Sequence, residues 1–66
     1  MKESLKGREV IFEFYPLPPY VRVSAMDVKT LTEISIQGAA SASQEQLKKN
    51  ALKRLEYVLR KKGLIS

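Results

Sequence analysis

The stretch that decides the fold is "EVIFEFYPLPPYVRVSAMD", residues 9–27. Apolar side chains recur at every second position in residues 9–15 and again in residues 20–27, which is the period of a β-strand. The intervening "PLPP", residues 16–19, contains three prolines, and proline cannot donate a ladder hydrogen bond. Residues 16–19 are therefore expected to form the turn of a β-hairpin.

The pairing of the two strands follows if Tyr15 lies opposite Tyr20 across this turn. The apolar side chains then face one another: Phe14 with Val21, Phe12 with Val23 and Val10 with Ala25. On the other face Glu13 falls opposite Arg22, a favourable opposite-charge pair. Because a slip of one residue would move every apolar side chain to the opposite face, we expect this register.

A third strand is predicted in "TEISIQ", residues 32–37, whose isoleucines extend the apolar face. Pairing Ala25 with Ile34 leaves residues 28–31 as a loop and makes the second strand central. The buried face is then expected to consist of eight residues: Val10, Phe12, Phe14, Val21, Val23, Ala25, Ile34 and Ile36.

A helix is predicted over residues 44–62. The preceding "GAASAS", residues 38–43, has the composition of a connector, and Ser43 fits the N-cap position. The apolar residues of the helix fall within an arc of about 140° at 100° per residue: Leu47, Ala51, Leu52, Leu55, Val58 and Leu59. Gly63 is expected to end the helix in a Schellman closure.

These elements predict an α+β fold: a three-stranded antiparallel β-meander with one C-terminal helix packed on one face, in the order β-β-β-α. With 66 residues, the chain is expected to form one small domain over residues 1–66, with residues 1–8 as a flexible tail. A domain of this size buries only about 60% of its unfolded surface. We therefore expect marginal stability.

The composition argues against catalysis and against metal binding. The chain has no cysteine and no histidine, so it lacks thiolate ligands and the commonest general base. Its serines have no histidine to activate them, and we expect no catalytic residue, no cofactor and no metal site. No apolar stretch approaches the roughly 20 residues of a membrane span. The expected protein is therefore not an enzyme, does not contact a membrane and is cytoplasmic.

The net charge of +5 comes entirely from the last third of the chain. Residues 43–66 hold seven of the twelve basic residues and two of the seven acidic ones, whereas residues 1–42 are balanced. Opposite the apolar arc of the predicted helix lie five basic residues and one aromatic: Lys49, Lys53, Arg54, Tyr57, Arg60 and Lys61. This basic helix face is either a solvated surface or a surface that binds the phosphates of RNA or DNA.

The outer face of the predicted sheet is the second candidate surface. It is more apolar than a solvated face requires, because it carries Ile11, Tyr15, Tyr20 and Met26. The two edge strands contain no internal proline that would block pairing with another chain. We therefore expect a non-enzymatic interaction module whose partner, an unknown protein or a nucleic acid, the sequence leaves open. A homodimer is among the expected forms.

Two resemblances add to this interpretation. The segments "REVIFEF", "YVRVSAMD", "TEISIQGAA" and "ALKRLEYVLRKKG" resemble a family of small bacterial proteins with no established activity, which implies a small cytoplasmic protein. The β-β-β-α order with a Lys-rich final helix also resembles the C-terminal two-thirds of a double-stranded-RNA-binding domain. The positions that match that family's basic cluster, residues 43–45, are not basic here, so no binding residue is transferred.

Overall fold

The chain forms three antiparallel strands followed by one helix. The computed structural model describes Leu5 and residues 7–66; the predicted flexible tail, residues 1–8, lies outside the described residues at positions 1–4 and 6. The elements are β1 (Val10–Leu17), β2 (Tyr20–Asp27), β3 (Thr32–Ala39) and α1 (Gln44–Lys61). The sheet order is β1-β2-β3, which confirms the predicted fold class. In the described part of the chain, no helix is long and apolar enough to cross a membrane.

The β1–β2 hairpin is tighter than predicted. Leu17 pairs with Tyr20, so Pro18 and Pro19 alone form the turn. The predicted turn over residues 16–19 and the predicted pairing of Tyr15 with Tyr20 are therefore wrong. The true register differs from the predicted one by two residues, and a shift of two keeps every side chain on its predicted face.

Pro16 is accommodated within β1 because its nitrogen points away from β2, toward the side of β1 where none of the described strands pairs. The carbonyl of Glu9 accepts a hydrogen bond from the amide of Val28 at 3.1 Å. Since backbone groups alternate in direction along a strand, the odd-numbered residues of β1 point their N–H and C=O groups toward β2. The even-numbered residues point theirs outward, so a proline at position 16 removes no hydrogen bond from the ladder.

The corrected register changes the charged pair on the outer face. Glu13 lies opposite Ser24, and Arg22 lies opposite Tyr15, so the predicted Glu13–Arg22 pair is wrong. The guanidinium carbon of Arg22 instead lies 4.6 Å from the centroid of the Tyr15 ring. A cation–π contact thus replaces the predicted ion pair.

The β2–β3 pairing confirms the prediction, because Ala25 pairs with Ile34 and residues 28–31 form the loop. However, β3 extends beyond residue 37 into the predicted connector and includes Gly38. A side chain at Gly38 would overlap the Cδ2 methyl of Leu47. Glycine here therefore lets the helix approach the sheet closely, a role different from that of the connector residue that we predicted.

Both ends of α1 are capped as predicted. The Ser43 hydroxyl accepts a hydrogen bond from the amide of Gln46 at 3.1 Å. At the other end Gly63 has a φ of 75°, and the Leu64 amide donates to the carbonyl of Leu59 at 2.9 Å. These contacts satisfy backbone groups that the helix itself leaves unpaired.

The core lies between α1 and the strands β2 and β3, against which the helix mainly packs. The buried apolar residues come from the central strand and one helix face: Val21, Val23, Ala25, Leu47, Ala51, Leu55 and Leu59. Phe12 and Phe14 of β1 are only half-buried, because the helix does not extend fully over their strand. The helix therefore contacts β1 less than it contacts β2 or β3, although the inward Ile34 and Ile36 of β3 are half-buried as well.

Candidate interaction surfaces

The outer face of the sheet, which the helix does not cover, exposes large apolar side chains along β1 and the start of β2. Ile11 is 45% exposed, Leu17 55% and Tyr20 50%. Tyr15 is also exposed, whereas Met26, the fourth residue predicted for this face, is half-buried. The four predicted residues thus lie on one face of the sheet, and Met26 is the least exposed of them.

Leu17 is a member of this face that the sequence analysis missed. It was assigned to the turn, but it is the last residue of β1 and pairs with Tyr20. The signal was available, because the period of two continues from Ile11 through Tyr15 to Leu17 across Pro16. The outer apolar patch is therefore defined here as Ile11, Tyr15, Leu17, Tyr20 and Met26.

The outer apolar patch occupies only half of the sheet. Ile11 lies beside Met26 and Leu17 lies beside Tyr20, both across the β1–β2 pair. The outward positions of β3 are instead small or polar: Glu33, Ser35, Gln37 and Ala39. An apolar contact on this face would therefore be centred on β1 and β2.

Charged groups sit in the middle of the outer apolar patch. The Tyr15 hydroxyl donates a hydrogen bond to the carboxylate of Glu13, and this bond is the main cause that raises the pKa of Tyr15 above its ordinary value. Arg22 lies over the same tyrosine ring. An acid, a base and a phenol are thus close together, and each is exposed.

The predicted basic helix face is exposed on α1, and the structure brings three of its members together. The guanidinium carbon of Arg54 lies 5.4 Å from the centroid of the Tyr57 ring, and the Lys61 ammonium lies 5.9 Å from it. Tyr57 is 52% exposed, so its ring remains accessible beside two cations. Two other predicted members are also exposed: Lys53 lies one turn before Tyr57, and Lys49 lies two turns before it.

Arg60 differs from the other basic residues of this face because its guanidinium has partners. Its Nη2 lies 2.9 Å from a carboxylate oxygen of Glu56, and its Nε donates to the Ser66 carbonyl at 3.1 Å. Glu56 precedes Arg60 by four residues on the helix, and this i,i+4 spacing was the sequence signal for the pair. Arg60 is therefore the member of the face least available to an outside anion.

The sequence analysis did not predict two further contacts of charged side chains. The Lys48 ammonium lies 5.4 Å from the centroid of the Phe12 ring, so a lysine covers part of β1. Arg8 forms a buried ion pair with Asp27 at 2.9 Å. The Asp27 carboxylate also accepts hydrogen bonds from the amide and the hydroxyl of Thr30. All its oxygens have partners, so this cluster stabilises the fold and offers no open position to a ligand.

Comparison with known proteins identifies one family. A family model described as "Domain of unknown function (DUF6898)" matches residues 7–62, which include all three strands and the whole of α1. No curated protein and no solved structure matches the chain.

Proposed function

We propose that this chain, which belongs to the DUF6898 family, is a non-enzymatic interaction module that binds its partner through the outer apolar patch. The observation that carries this proposal is the one-sided coverage of the sheet. The helix packs on one face, while Ile11, Leu17 and Tyr20 on the other face are each about half exposed.

Physical chemistry favours a partner on this patch. Removing apolar surface from water contributes about 25 cal/mol per Å², and large exposed apolar surfaces mark interaction sites. Tyrosines are enriched in protein interfaces because they combine a large apolar ring with a hydrogen-bonding hydroxyl. Tyr15 and Tyr20 provide both, and Glu13 and Arg22 supply the polar groups that give a contact its specificity.

A site-specific cross-linking experiment tests this proposal. A photoreactive amino acid replaces Tyr20 in one version of the protein and Lys53, on the opposite side of the molecule, in a control version. Both positions are exposed, so the two substitutions should leave the fold intact. Irradiation in living cells should yield covalent adducts from position 20 and not from position 53. The proposal is wrong if position 20 gives no adduct, whether or not position 53 gives one.

A second candidate function is nucleic-acid binding through the basic helix face. The observation that favours it is the Arg54–Tyr57–Lys61 cluster, because cations beside an accessible aromatic ring suit phosphates and stacked bases together. The resemblance in element order to the C-terminal part of a double-stranded-RNA-binding domain supports the same candidate. The alternative is that the basic helix face is only solvated. A protein that binds RNA or DNA through this face loses affinity as the salt concentration rises, whereas a solvated face gives no binding even at low salt.

A further inference from the structure

β1 has a free backbone edge. Within the described residues it pairs with β2 alone, and the alternation established by the Glu9–Val28 hydrogen bond directs the N–H and C=O groups of Val10, Phe12 and Phe14 away from the sheet. Pro16 is the outward position of β1 that lacks a donor, so the expectation that this edge strand contains no internal proline is wrong. An eight-residue edge strand with this composition is a template for pairing with another strand.

The other edge of the sheet is a poorer template. The Ala40 amide donates to the Pro19 carbonyl at 2.9 Å, which places the outward backbone groups of β3 at its odd-numbered positions. The side chains at those positions are small or polar, and α1 packs over this side of the sheet. At β1, by contrast, the outer apolar patch lies on one face and the half-buried Phe12 and Phe14 lie on the other. β1 is therefore the edge strand that the helix contacts less, and it is the edge strand whose outer face is apolar.

We infer that β1 pairs in antiparallel fashion with β1 of a second copy of this chain, joining two three-stranded sheets into one of six strands. This inference rests on the proposed interaction function and names the partner. In one register, each side chain of β1 lies opposite a complementary side chain of the second β1. The pairing therefore also explains the charged groups in the middle of the outer apolar patch.

The backbone directions restrict the register. Outward-facing residues are even-numbered, so an antiparallel pair must align even with even positions. A pair centred on Glu13 would place that carboxylate directly opposite its copy, and like charges opposite one another are unfavourable. A pair centred on Phe14 instead aligns Ile11 with Leu17 of the second copy and Glu13 with Tyr15 of the second copy. This register spans nearly the whole strand.

Charge and hydrogen bonds both fit this register. Arg22 lies over the Tyr15 ring, so Glu13 of the second copy arrives beside a cation, and the two-fold symmetry repeats the contact. Phe14 exchanges two backbone hydrogen bonds with its copy. The Phe12 amide donates to the carbonyl of Pro16 of the second copy. Because proline has no N–H, the reciprocal hydrogen bond from Pro16 to the Phe12 carbonyl is absent. The two helices lie on the same side of the joined sheet.

A charge-swap experiment tests the inferred pairing. The wild-type protein should sediment at about 15 kDa, twice its 7.5 kDa, at sufficient concentration. Glu13→Arg alone places two cations together at each of the two symmetric contacts, and Arg22→Glu alone places two carboxylates together. Each variant should therefore dimerise at least about tenfold more weakly. An equimolar mixture restores opposite charges at both contacts, so it should recover the 15 kDa species. Unchanged circular dichroism shows that each variant folds.

Amide hydrogen exchange locates the interface. The Phe14 amide faces outward in the monomer, so its protection should rise with protein concentration, whereas the Ser35 amide on the β3 edge should stay unprotected. The inference is wrong if the mass stays at 7.5 kDa up to millimolar concentration, or if dimers form without protection of Phe14. Adducts from position 20 to a different protein, combined with a monomeric mass, would overturn the pairing and leave the proposed interaction function standing.

Discussion

Arg8 and Asp27 form a two-point ion pair on the inner face of the sheet. The Arg8 Nε lies 3.1 Å from Oδ1 of Asp27, and Nη2 lies 2.9 Å from Oδ2. The Asp27 side chain is fully buried, and that of Arg8 is 15% exposed. Thr30 donates to the same carboxylate. Asp27 therefore connects the residue before β1, Arg8, with the loop that follows β2.

Because of this ion pair, we expect the free energy of unfolding to decrease at acidic pH. The hydrogen bonds from Arg8 lower the pKa of Asp27 far below its ordinary value, which is about 4 in an unfolded chain. A lowered pKa contributes stability that is fully present above about pH 4 and is lost as the pH falls through the folded-state value. Urea unfolding measured between pH 7 and pH 2 should show this decline.

The matched variant is Asp27→Asn, which keeps the shape of the side chain and removes its charge. It should lower the free energy of unfolding at pH 7 by about 3–5 kcal/mol, because it leaves the Arg8 cation without its counter-charge. What remains of its stability should change less with pH below 4. An acid decline as steep in Asp27→Asn as in wild type would assign the effect to other carboxylates.

Leu55 is predicted to be the most sensitive position of the core. It is fully buried on the helix face that packs on the sheet, so Leu55→Ala should cost about 2–5 kcal/mol, which is much of the stability of so small a domain. Leu52→Ala is the control, because Leu52 lies on the same helix but is half-buried, and it should cost less. Thermal melts of the two variants give the comparison; equal melting temperatures would contradict the packing of Leu55 against the sheet.

Gly38→Ala should destabilise the protein by about 1–3 kcal/mol through overpacking. The added methyl group meets the Cδ2 methyl of Leu47, which is itself buried. The same substitution in a Leu47→Ala background should cost less, since the conflicting methyl is gone. Chemical denaturation of the four proteins gives the coupling between the two sites. Strict additivity would show that the close approach is not what requires glycine.

Leu31→Asn should stabilise the protein by about 1 kcal/mol. Leu31 has a φ of 61°, a left-handed conformation that is strained for leucine and better tolerated by asparagine. Its side chain is 70% exposed, so little packing is lost. Leu31→Ala, which shortens the side chain and keeps the unfavourable conformation, should leave stability nearly unchanged. If the alanine and asparagine variants unfold at the same denaturant concentration, the strain is absent.

Side-chain periodicity predicted which residues face the helix, but it could not fix the hairpin register. A shift of two residues preserves each face, so the pattern was equally compatible with a turn at residues 16–19 or at Pro18–Pro19. The decisive fact was that Pro16 lies at a free edge, which depends on tertiary pairing. The Arg8–Asp27 pair could have been predicted from the sequence. Asp27 occupies an odd-numbered position of β2, as the inward-facing Val21 and Val23 do, and a buried carboxylate requires a partner.

The basic helix face predicts a specific salt dependence if the protein binds RNA or DNA. Each phosphate that a lysine or arginine neutralises contributes about 0.7–0.9 to the slope of log affinity against log salt concentration. Lys49→Gln and Lys53→Gln should therefore each reduce the slope by about that amount, whatever the nucleic-acid sequence. Arg60→Gln should change the slope less, because its guanidinium already pairs with Glu56.

Tyr57 extends this prediction to the type of nucleic acid. Its ring is half exposed between Arg54 and Lys61, and stacking of a base on an aromatic ring contributes about 1–3 kcal/mol. Bases stack on a protein ring only when they are not paired within a duplex, so Tyr57→Ala should weaken binding to single-stranded RNA and leave duplex binding nearly unchanged. Fluorescence anisotropy with a labelled strand, alone and annealed to its complement, measures both affinities. Equal losses of affinity for both forms would assign Tyr57 a role in positioning the neighbouring cations. If the wild-type protein binds neither form at low salt, the basic helix face is a solvated surface.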